Sequence, residues 1–337
     1  MTGEERGVVA NQTAPLTIWA VSDGRAGIEA QALGMAEALA RHRKGAVVEV
    51  KRVSWKDKTG RLPWWLVPSA RRWLTPESEI AAPWPDILVA AGRATVPVAM
   101  RIRRWSKKKT FVVQLQDPKT PLSFYDVVVP PLHDRVKGDN VIPIIGSPHR
   151  VTPKRLAAEL KKFAKRIDPL PQPRVAVLIG GRSRGFDLPP ARAEQMAREI
   201  RLGVEHEGAS LLLTFSRRTP ERARAILTEA LKDLPGIIWD GTGPNPYFAF
   251  LAAADYILVT EDSTNMATEA AATGKPVFIL KMEGQSLKFR LLHEQLERHG
   301  AARPFGGGFH GWTYEPLRET DRAAQEIWAR YDAAKTR

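Results

Sequence analysis

The stretch "YFAFLAAADYILVTEDSTNMATEAAATGKPVFIL" covers residues 247–280. It predicts a buried strand over 256–262, a helix over 264–273 and a second strand over 276–280, the pattern of a parallel α/β sheet. The first strand ends in acidic and hydroxyl side chains, and the helix after it begins with small residues. Because ligands bind at the carboxyl ends of parallel strands and anions bind at helix N-termini, the stretch also predicts a ligand site.

The same alternation fills the rest of the second half. Strands are predicted over 174–181, 210–216 and 236–241, and helices over 189–206, 220–233 and 246–253. With the opening stretch, these elements predict an α/β domain over residues 174–314.

The first half of the chain repeats this organisation. Strands are predicted over 16–23, 46–53, 86–92, 109–117 and 125–131, with a helix over 28–42. We therefore predict a first α/β domain over 1–167 and a Pro-rich linker over 168–173. Residues 315–337 are predicted to hold a helix that packs back on the first domain, with Trp328 and Tyr331 on its apolar stripe.

Composition excludes several classes of protein. The 337 residues include no cysteine, which excludes a disulfide framework and thiolate metal sites. The seven histidines are scattered, so no metal site is predicted. No apolar run approaches the roughly 18 residues of a spanning helix, and no nucleic-acid-binding signature is present. We expect a cytoplasmic protein without a nucleic-acid partner.

The net charge of +14 lies entirely in the first half. Residues 1–166 carry 29 Lys and Arg against 15 Asp and Glu, whereas residues 167–337 carry 22 of each kind. Such asymmetry predicts an anionic partner for the first domain. Two basic segments with tryptophan, 53–76 and 101–109, favour the inner face of the cytoplasmic membrane as that partner. The alternatives are charge for solubility alone, and tryptophans buried between helices.

Loops at predicted strand ends supply the candidate residues of the first domain. In "SDGRAGIEAQ" (22–31), Gly24 and Gly27 flank Arg25, which suits close approach to an anion. Asp23 is a candidate general base, with a helix cap as the alternative. Gln116 and Asp117 end another strand, and turn formation before Pro118 is their alternative role.

The second domain has three polar loops at strand ends. The loops "IGGRSRGFDL" (179–188) and "TFSRRTPE" (214–221) are basic and predict phosphate binding through Gly180, Gly181, Arg182, Ser183, Arg184, Ser216 and Arg217. At the third loop, a diphosphate is predicted beside Glu261, Asp262, Ser263, Thr264 and Asn265. Capping explains one of these five residues but not the cluster. Glu269, one to two turns further along the helix, could accept hydrogen bonds from both hydroxyls of a ribose.

The segments "VTEDSTNMATEAAATGKP", "QLQDP", "SDGRAG" and "IGGRSRGF" together resemble the ELM1-type family, named for a plant mitochondrial fission factor. Residues 247–280 are also similar to the donor region of GT-B glycosyltransferases, such as the lipid II GlcNAc transferase. The resemblance implies two Rossmann-like domains facing a cleft. It places a nucleotide sugar on the second domain, with its ribose at Glu269, and an acceptor on the first. It implies no cofactor.

The resemblance leaves the catalytic base open. The lipid II enzyme has a histidine in the loop that corresponds to 22–31, and this chain has none there. Asp23 and Asp117 remain the candidates. We predict a metal-independent glycosyltransferase that transfers a sugar to an anionic or lipid-linked acceptor at the membrane. The alternatives are an adaptor that recruits a partner protein without catalysis, as the plant member does, and a nucleotide-sugar epimerase.

Overall fold

The computed structural model describes residues 15–56, 66 and 73–336. The first sheet is parallel and has the order β2-β1-β3-β4-β5. Its strands are β1 (Thr17–Ser22), β2 (Val47–Arg52), β3 (Ile87–Ala91), β4 (Phe111–Leu115) and β5 (Val127–Val129). Two helices cover it, α1 (Ala26–His42) and α2 (Val96–Trp105).

The second sheet is also parallel and has the order β13-β11-β10-β6-β8-β9. Its strands are β6 (Arg174–Ile179), β8 (Ser210–Phe215), β9 (Gly236–Ile238), β10 (Tyr256–Thr260), β11 (Val277–Leu280) and β13 (Ala302–Pro304). Six helices accompany it: α3 (Pro153–Ile167), α4 (Pro190–His206), α5 (Glu221–Leu231), α6 (Tyr247–Ala253), α7 (Thr264–Ala271) and α8 (Leu287–Arg298). The short strands β7 (Phe186–Asp187) and β12 (Glu283–Gly284) pair antiparallel beside it.

The central strands are buried because helices and loops cover both faces of each sheet. Every residue of β3, β4 and β5 is buried, as expected for continuous Val, Ile and Leu runs in parallel sheets. Apolar clusters fill both faces of the first sheet and both faces of the second.

Two helices connect the domains. Helix α3 falls within the predicted first domain, yet Leu156, Leu160 and Phe163 pack into a cluster of the second domain. The last helix, α9 (Glu319–Lys335), packs on α1, where the Trp328 indole donates to the Leu39 carbonyl at 3.0 Å. It begins four residues after the predicted start of its segment.

Candidate functional site

Strand order places a ligand crevice in each sheet. In the second sheet β6 and β10 are neighbours. The chain continues from β6 to β8 on one side and from β10 to β11 on the other. In the first sheet the chain continues from β1 to β2 on one side and from β3 to β4 on the other, so the reversal lies between β1 and β3. Ligands of open α/β sheets bind at the carboxyl ends of strands at such a reversal. The predicted loops after β1, β6 and β10 all lie at these positions.

Asp262 anchors the crevice of the second sheet from inside the protein. Its side chain is fully buried, and one carboxylate oxygen accepts from the Gly181 amide at 2.9 Å and pairs with Arg218 at 2.7 Å. The other oxygen accepts from the Thr260 hydroxyl at 2.7 Å, which in turn accepts from the Gly180 amide. Asp262 therefore ties the ends of β6 and β10 together and fixes the glycine loop.

Both glycines of that loop are required by packing. A Cβ on Gly180 would lie 1.9 Å from the Asp262 carboxylate, and one on Gly181 would lie 2.1 Å from the Arg218 carbonyl oxygen. Arg218 also donates to the carbonyls of Gly181 and Arg182, at 3.2 and 3.1 Å. The sequence predicts Ser216 and Arg217 as ligand-binding residues of this loop but gives no signal for Arg218.

The remaining side chains of the two basic loops are less tightly held. Arg182 pairs with Asp187 at 2.8 Å on the surface, and the Ser183 hydroxyl accepts from the Phe186 amide. The Ser216 hydroxyl accepts from the Arg218 amide. Arg184 and Arg217 are exposed, and neither pairs with a carboxylate among the described residues.

The N-terminus of α7 points toward the first domain. Ser263 caps this helix by accepting from the Met266 amide at 3.3 Å. Within the described part of the chain, the amides of Thr264 and Asn265 have no hydrogen-bond partner. The Asn265 side chain donates to the Gly27 carbonyl, in the first turn of α1, at 2.8 Å. The starts of α1 and α7, each at the carboxyl edge of its own sheet, are therefore in contact.

A chain of side-chain hydrogen bonds continues from that contact. The Gln116 side-chain amide donates to the Gln31 side-chain oxygen at 2.7 Å, and the Gln31 side-chain amide donates to the Asn265 side-chain oxygen at 2.8 Å. Ser147 donates to the same Asn265 oxygen at 2.9 Å. Gln116 holds a left-handed backbone with φ 67° to make its bond. Neither Gln31 nor Ser147 was selected from the sequence, because each gains its role only across the domain interface.

Both candidate bases carry a cationic partner. Asp23 pairs with Arg25 at 2.7 Å and also accepts from the Arg25 amide, while Gly24 turns the loop with φ 77°. Asp117 pairs with Lys119 at 2.6 Å and accepts from its amide. Each cation is largely exposed, so each is able to move away.

Glu269 is buried on α7, against Tyr247 of α6. It accepts from the Tyr247 hydroxyl at 2.6 Å, and burial raises the pKa of the carboxyl to about 7 despite the charges of Arg150 and Arg155. Burial and the neighbouring carboxylate also raise the pKa of Tyr247. The Tyr247 hydroxyl thus occupies one of the two carboxylate oxygens that the predicted ribose would contact.

A cavity of about 730 Å³ adjoins the β10 crevice. Glu261 and Lys281 line it at strand ends, and Ser286 and His293 line it from α8 and its cap. Glu261 accepts from the Met282 amide at 2.6 Å, and burial raises the pKa of its carboxyl. The cavity offers polar groups beside the predicted diphosphate position. The described residues contain no cluster of three or more His, Asp or Glu side chains able to hold a metal.

Comparisons with known proteins identify relatives over most of the chain. Residues 26–331 match the family model described as mitochondrial fission ELM1. The mitochondrial fission protein ELM1 of Arabidopsis thaliana is 30% identical over 270 residues, covering 72% of this chain and 63% of the plant protein. The chain thus spans less than two thirds of that relative. An uncharacterized protein of Rickettsia prowazekii is 27% identical, covering 93% of this chain and 98% of its own.

Solved structures share the fold. A UDP-GlcNAc 2-epimerase from Methanocaldococcus jannaschii has a TM-score of 0.54 at 13% identity, covering 93% of this chain and 100% of its own. The epimerase from Neisseria meningitidis, solved bound to UDP-GlcNAc, has a TM-score of 0.51 at 13% identity, covering 94% and 93%. At these identities the likeness concerns the fold alone. It confirms the predicted fold class, two Rossmann-like domains that face a cleft.

Proposed function

The chain belongs to the mitochondrial fission ELM1 family, and we propose that it is a glycosyltransferase that binds a nucleotide-diphosphate sugar on its second domain. The sugar is transferred to an anionic or lipid-linked acceptor held by the first domain at the cytoplasmic face of a membrane. No helix in the described residues is long and apolar enough to cross a bilayer, so the proposed attachment is peripheral.

One observation carries the proposal: the N-terminus of α7 meets the first domain at the Asn265–Gly27 contact. This contact puts unpaired helix amides at a reversal of the second sheet and opposite the loop of Asp23 and Arg25. A diphosphate fits such a position because helix amides and the helix dipole stabilise anions. Arg218, whose side chain is 42% exposed, supplies a cation on the same crevice.

The residues then divide the chemistry between the two domains. Asp23 or Asp117, once released from Arg25 or Lys119, would take the proton of the acceptor hydroxyl. The amides of α7 and the Arg218 guanidinium would stabilise the negative charge on the departing diphosphate. The cavity lined by Glu261 and His293 would hold the sugar.

A thermal-shift panel of UDP-, GDP-, ADP- and CMP-sugars tests the proposal. We expect one nucleotide to raise the unfolding temperature, because a ligand that binds only the folded state stabilises it. Arg218→Ala should weaken the binding of that nucleotide in calorimetry. Arg198→Ala, which removes an exposed cation from α4 away from the predicted loops, should not. Sugar analysis after incubation without acceptor separates transfer from epimerisation, since only an epimerase would change the free nucleotide sugar.

A second candidate function, an adaptor without catalysis, is favoured by a different observation. Asp262, Asn265 and Glu269, all predicted to face ligand, are bonded to groups of the protein itself. A protein that kept the fold to recruit a partner would fill its old site in this way. The absence of a shift with every nucleotide sugar, in a protein that unfolds cooperatively, would favour the adaptor over the transferase.

A further inference from the structure

A cationic cavity lies at the C-terminal end of α2. It has a volume of about 410 Å³, and its walls include Met100, Arg103, Arg104, Lys107, Lys108 and Phe124. Four of these six side chains are cationic, and the other two are apolar. The cavity belongs to the half of the chain that carries the whole positive excess.

Most of these cations have no ion-pair partner among the residues that the structure describes. Arg103 pairs with Asp126 at 3.4 Å. Among the described residues, no carboxylate lies within ion-pairing distance of Arg104, Lys107 or Lys108. Cations brought together without acids repel one another, and a bound anion would remove that repulsion.

A fixed turn holds the lysines. Lys107 and Lys108 both have left-handed backbones, with φ 53° and 64°, which non-glycine residues rarely adopt. The Lys108 amide donates to the Arg103 carbonyl at 2.6 Å, and the buried Thr110 hydroxyl donates to the Pro85 carbonyl at 2.8 Å. The cations therefore sit on a rigid frame, so binding an anion orders little additional backbone.

The cavity faces away from the ligand crevice. Helix α2 follows β3 and returns to the start of β4, so its C-terminal end lies at the amino edge of the first sheet. The loops of the candidate site lie at the carboxyl edge, one strand length or roughly 17 Å away. An anion in the cavity would not compete with a nucleotide sugar.

We propose that this cavity binds the phosphate headgroup of an anionic phospholipid. The mixture of cations with Met100 and Phe124 suits a headgroup at the boundary between water and acyl chains. Half-buried Trp84 and Trp105 stack at 6.0 Å beside the same helix end, which adds aromatic rings of the kind found at membrane interfaces. The inference rests on the membrane attachment in the proposed function and assigns it to a site. Much of the other predicted membrane segment, residues 57–65 and 67–72, lies outside the described residues.

Vesicle flotation tests the site at near-physiological ionic strength. The full chain is mixed with phosphatidylcholine vesicles, with or without phosphatidylglycerol. We expect flotation only with phosphatidylglycerol. The triple variant Arg104→Gln, Lys107→Gln, Lys108→Gln should bind on the order of 100-fold more weakly, because each cation near an anionic surface contributes about fivefold. If the triple variant unfolds, the double variant Lys107→Gln, Lys108→Gln replaces it.

A matched control carries the same loss of charge elsewhere. Lys154, Lys161 and Lys165 are exposed on α3, and their triple change to Gln should leave flotation within a few-fold of wild type. An equal fall in flotation of both triple variants would mean that binding depends on diffuse charge attraction and not on the cavity, which would overturn the proposal. Binding of inorganic phosphate in calorimetry by a wild type that does not float would mean that the cavity takes free phosphate, which would overturn the lipid. If the wild type does not float at all, both this site and the membrane attachment are wrong, while the nucleotide-sugar panel still tests the donor site separately.

Discussion

The side-chain nitrogen of Gln31 lies 2.8 Å from the side-chain oxygen of Asn265, and this bond joins two domains across 234 positions of sequence. Gln31 belongs to the helix after the first strand of the first sheet, and Asn265 belongs to the helix that starts the predicted diphosphate site. The relative position of the domains is thus coupled to the residue that a donor would approach.

A double-mutant cycle measures this coupling. Gln31→Ala and Asn265→Ala should each destabilise the protein, and their combined effect should be smaller than the sum by about 1 kcal/mol, the net value of a buried hydrogen bond. Chemical denaturation of the four proteins gives the coupling energy. As a control, the effects of Gln31→Ala and Gln195→Ala on the free energy of unfolding should be additive, because the exposed Gln195 side chain on α4 does not contact Gln31. Additivity in the first cycle would show that the contact between the domains does not depend on this bond.

Asp262 should matter for stability more than any exposed carboxylate. Asp262→Asn replaces an acceptor by an amide group that meets the Gly181 amide, the Arg218 guanidinium or the Thr260 hydroxyl, all of them donors. We expect a loss of about 2 kcal/mol in the free energy of unfolding. Asp187→Asn, which breaks the exposed pair with Arg182, should cause no measurable change. Equal effects of the two substitutions would mean that Asp262 is not the anchor of the crevice.

The glycine loop after β6 gives a test of packing. In Gly181→Ala the new methyl would lie 2.1 Å from a backbone oxygen of the neighbouring loop, so one of the two loops must shift. We expect a loss of about 2 kcal/mol and weaker nucleotide binding. Gly306→Ala, where the methyl would enter open space, should leave the unfolding midpoint unchanged or slightly higher. If Gly181→Ala behaves like Gly306→Ala, the loop is not held as described.

Local pattern was enough to predict most of the elements and the loops that carry the candidate residues, although α8 and β13 were not predicted. Strand β10 and helix α7 follow from an apolar run, an N-cap and small residues, all of them local features. The role of Arg218 could not be found in this way, since four adjacent polar residues precede Pro220 and only packing decides which one reaches Asp262. Tyr247 was missed because its partner Glu269 is brought near only by the contact between α6 and α7.

Glu269 should make stability depend on pH. Its pKa is about 7 in the folded protein and lies near 4.5 when exposed, so the folded state favours the protonated form. The stabilisation is fully present below about pH 4.5 and is lost as pH rises through 7, a change of about 3 kcal/mol. Glu269→Gln mimics the protonated acid and should lack this fall. The measurement is the difference in unfolding free energy between wild type and variant from pH 5 to 8, with exposed Glu194→Gln as the control. A constant difference would contradict the raised pKa.

Nucleotide binding should show the opposite dependence on pH if Glu269 holds a ribose. Two sugar hydroxyls that donate to the carboxyl in place of Tyr247 favour its ionised form, so binding requires loss of the proton. Affinity for the nucleotide found in the panel should therefore rise between pH 6 and 8 in the wild type, by up to about tenfold per pH unit below the pKa. In Glu269→Gln, calorimetry should give weaker binding that is flat over the same range. Equal, flat profiles in both proteins would leave Glu269 as a buried partner of Tyr247 and remove the ribose from this position.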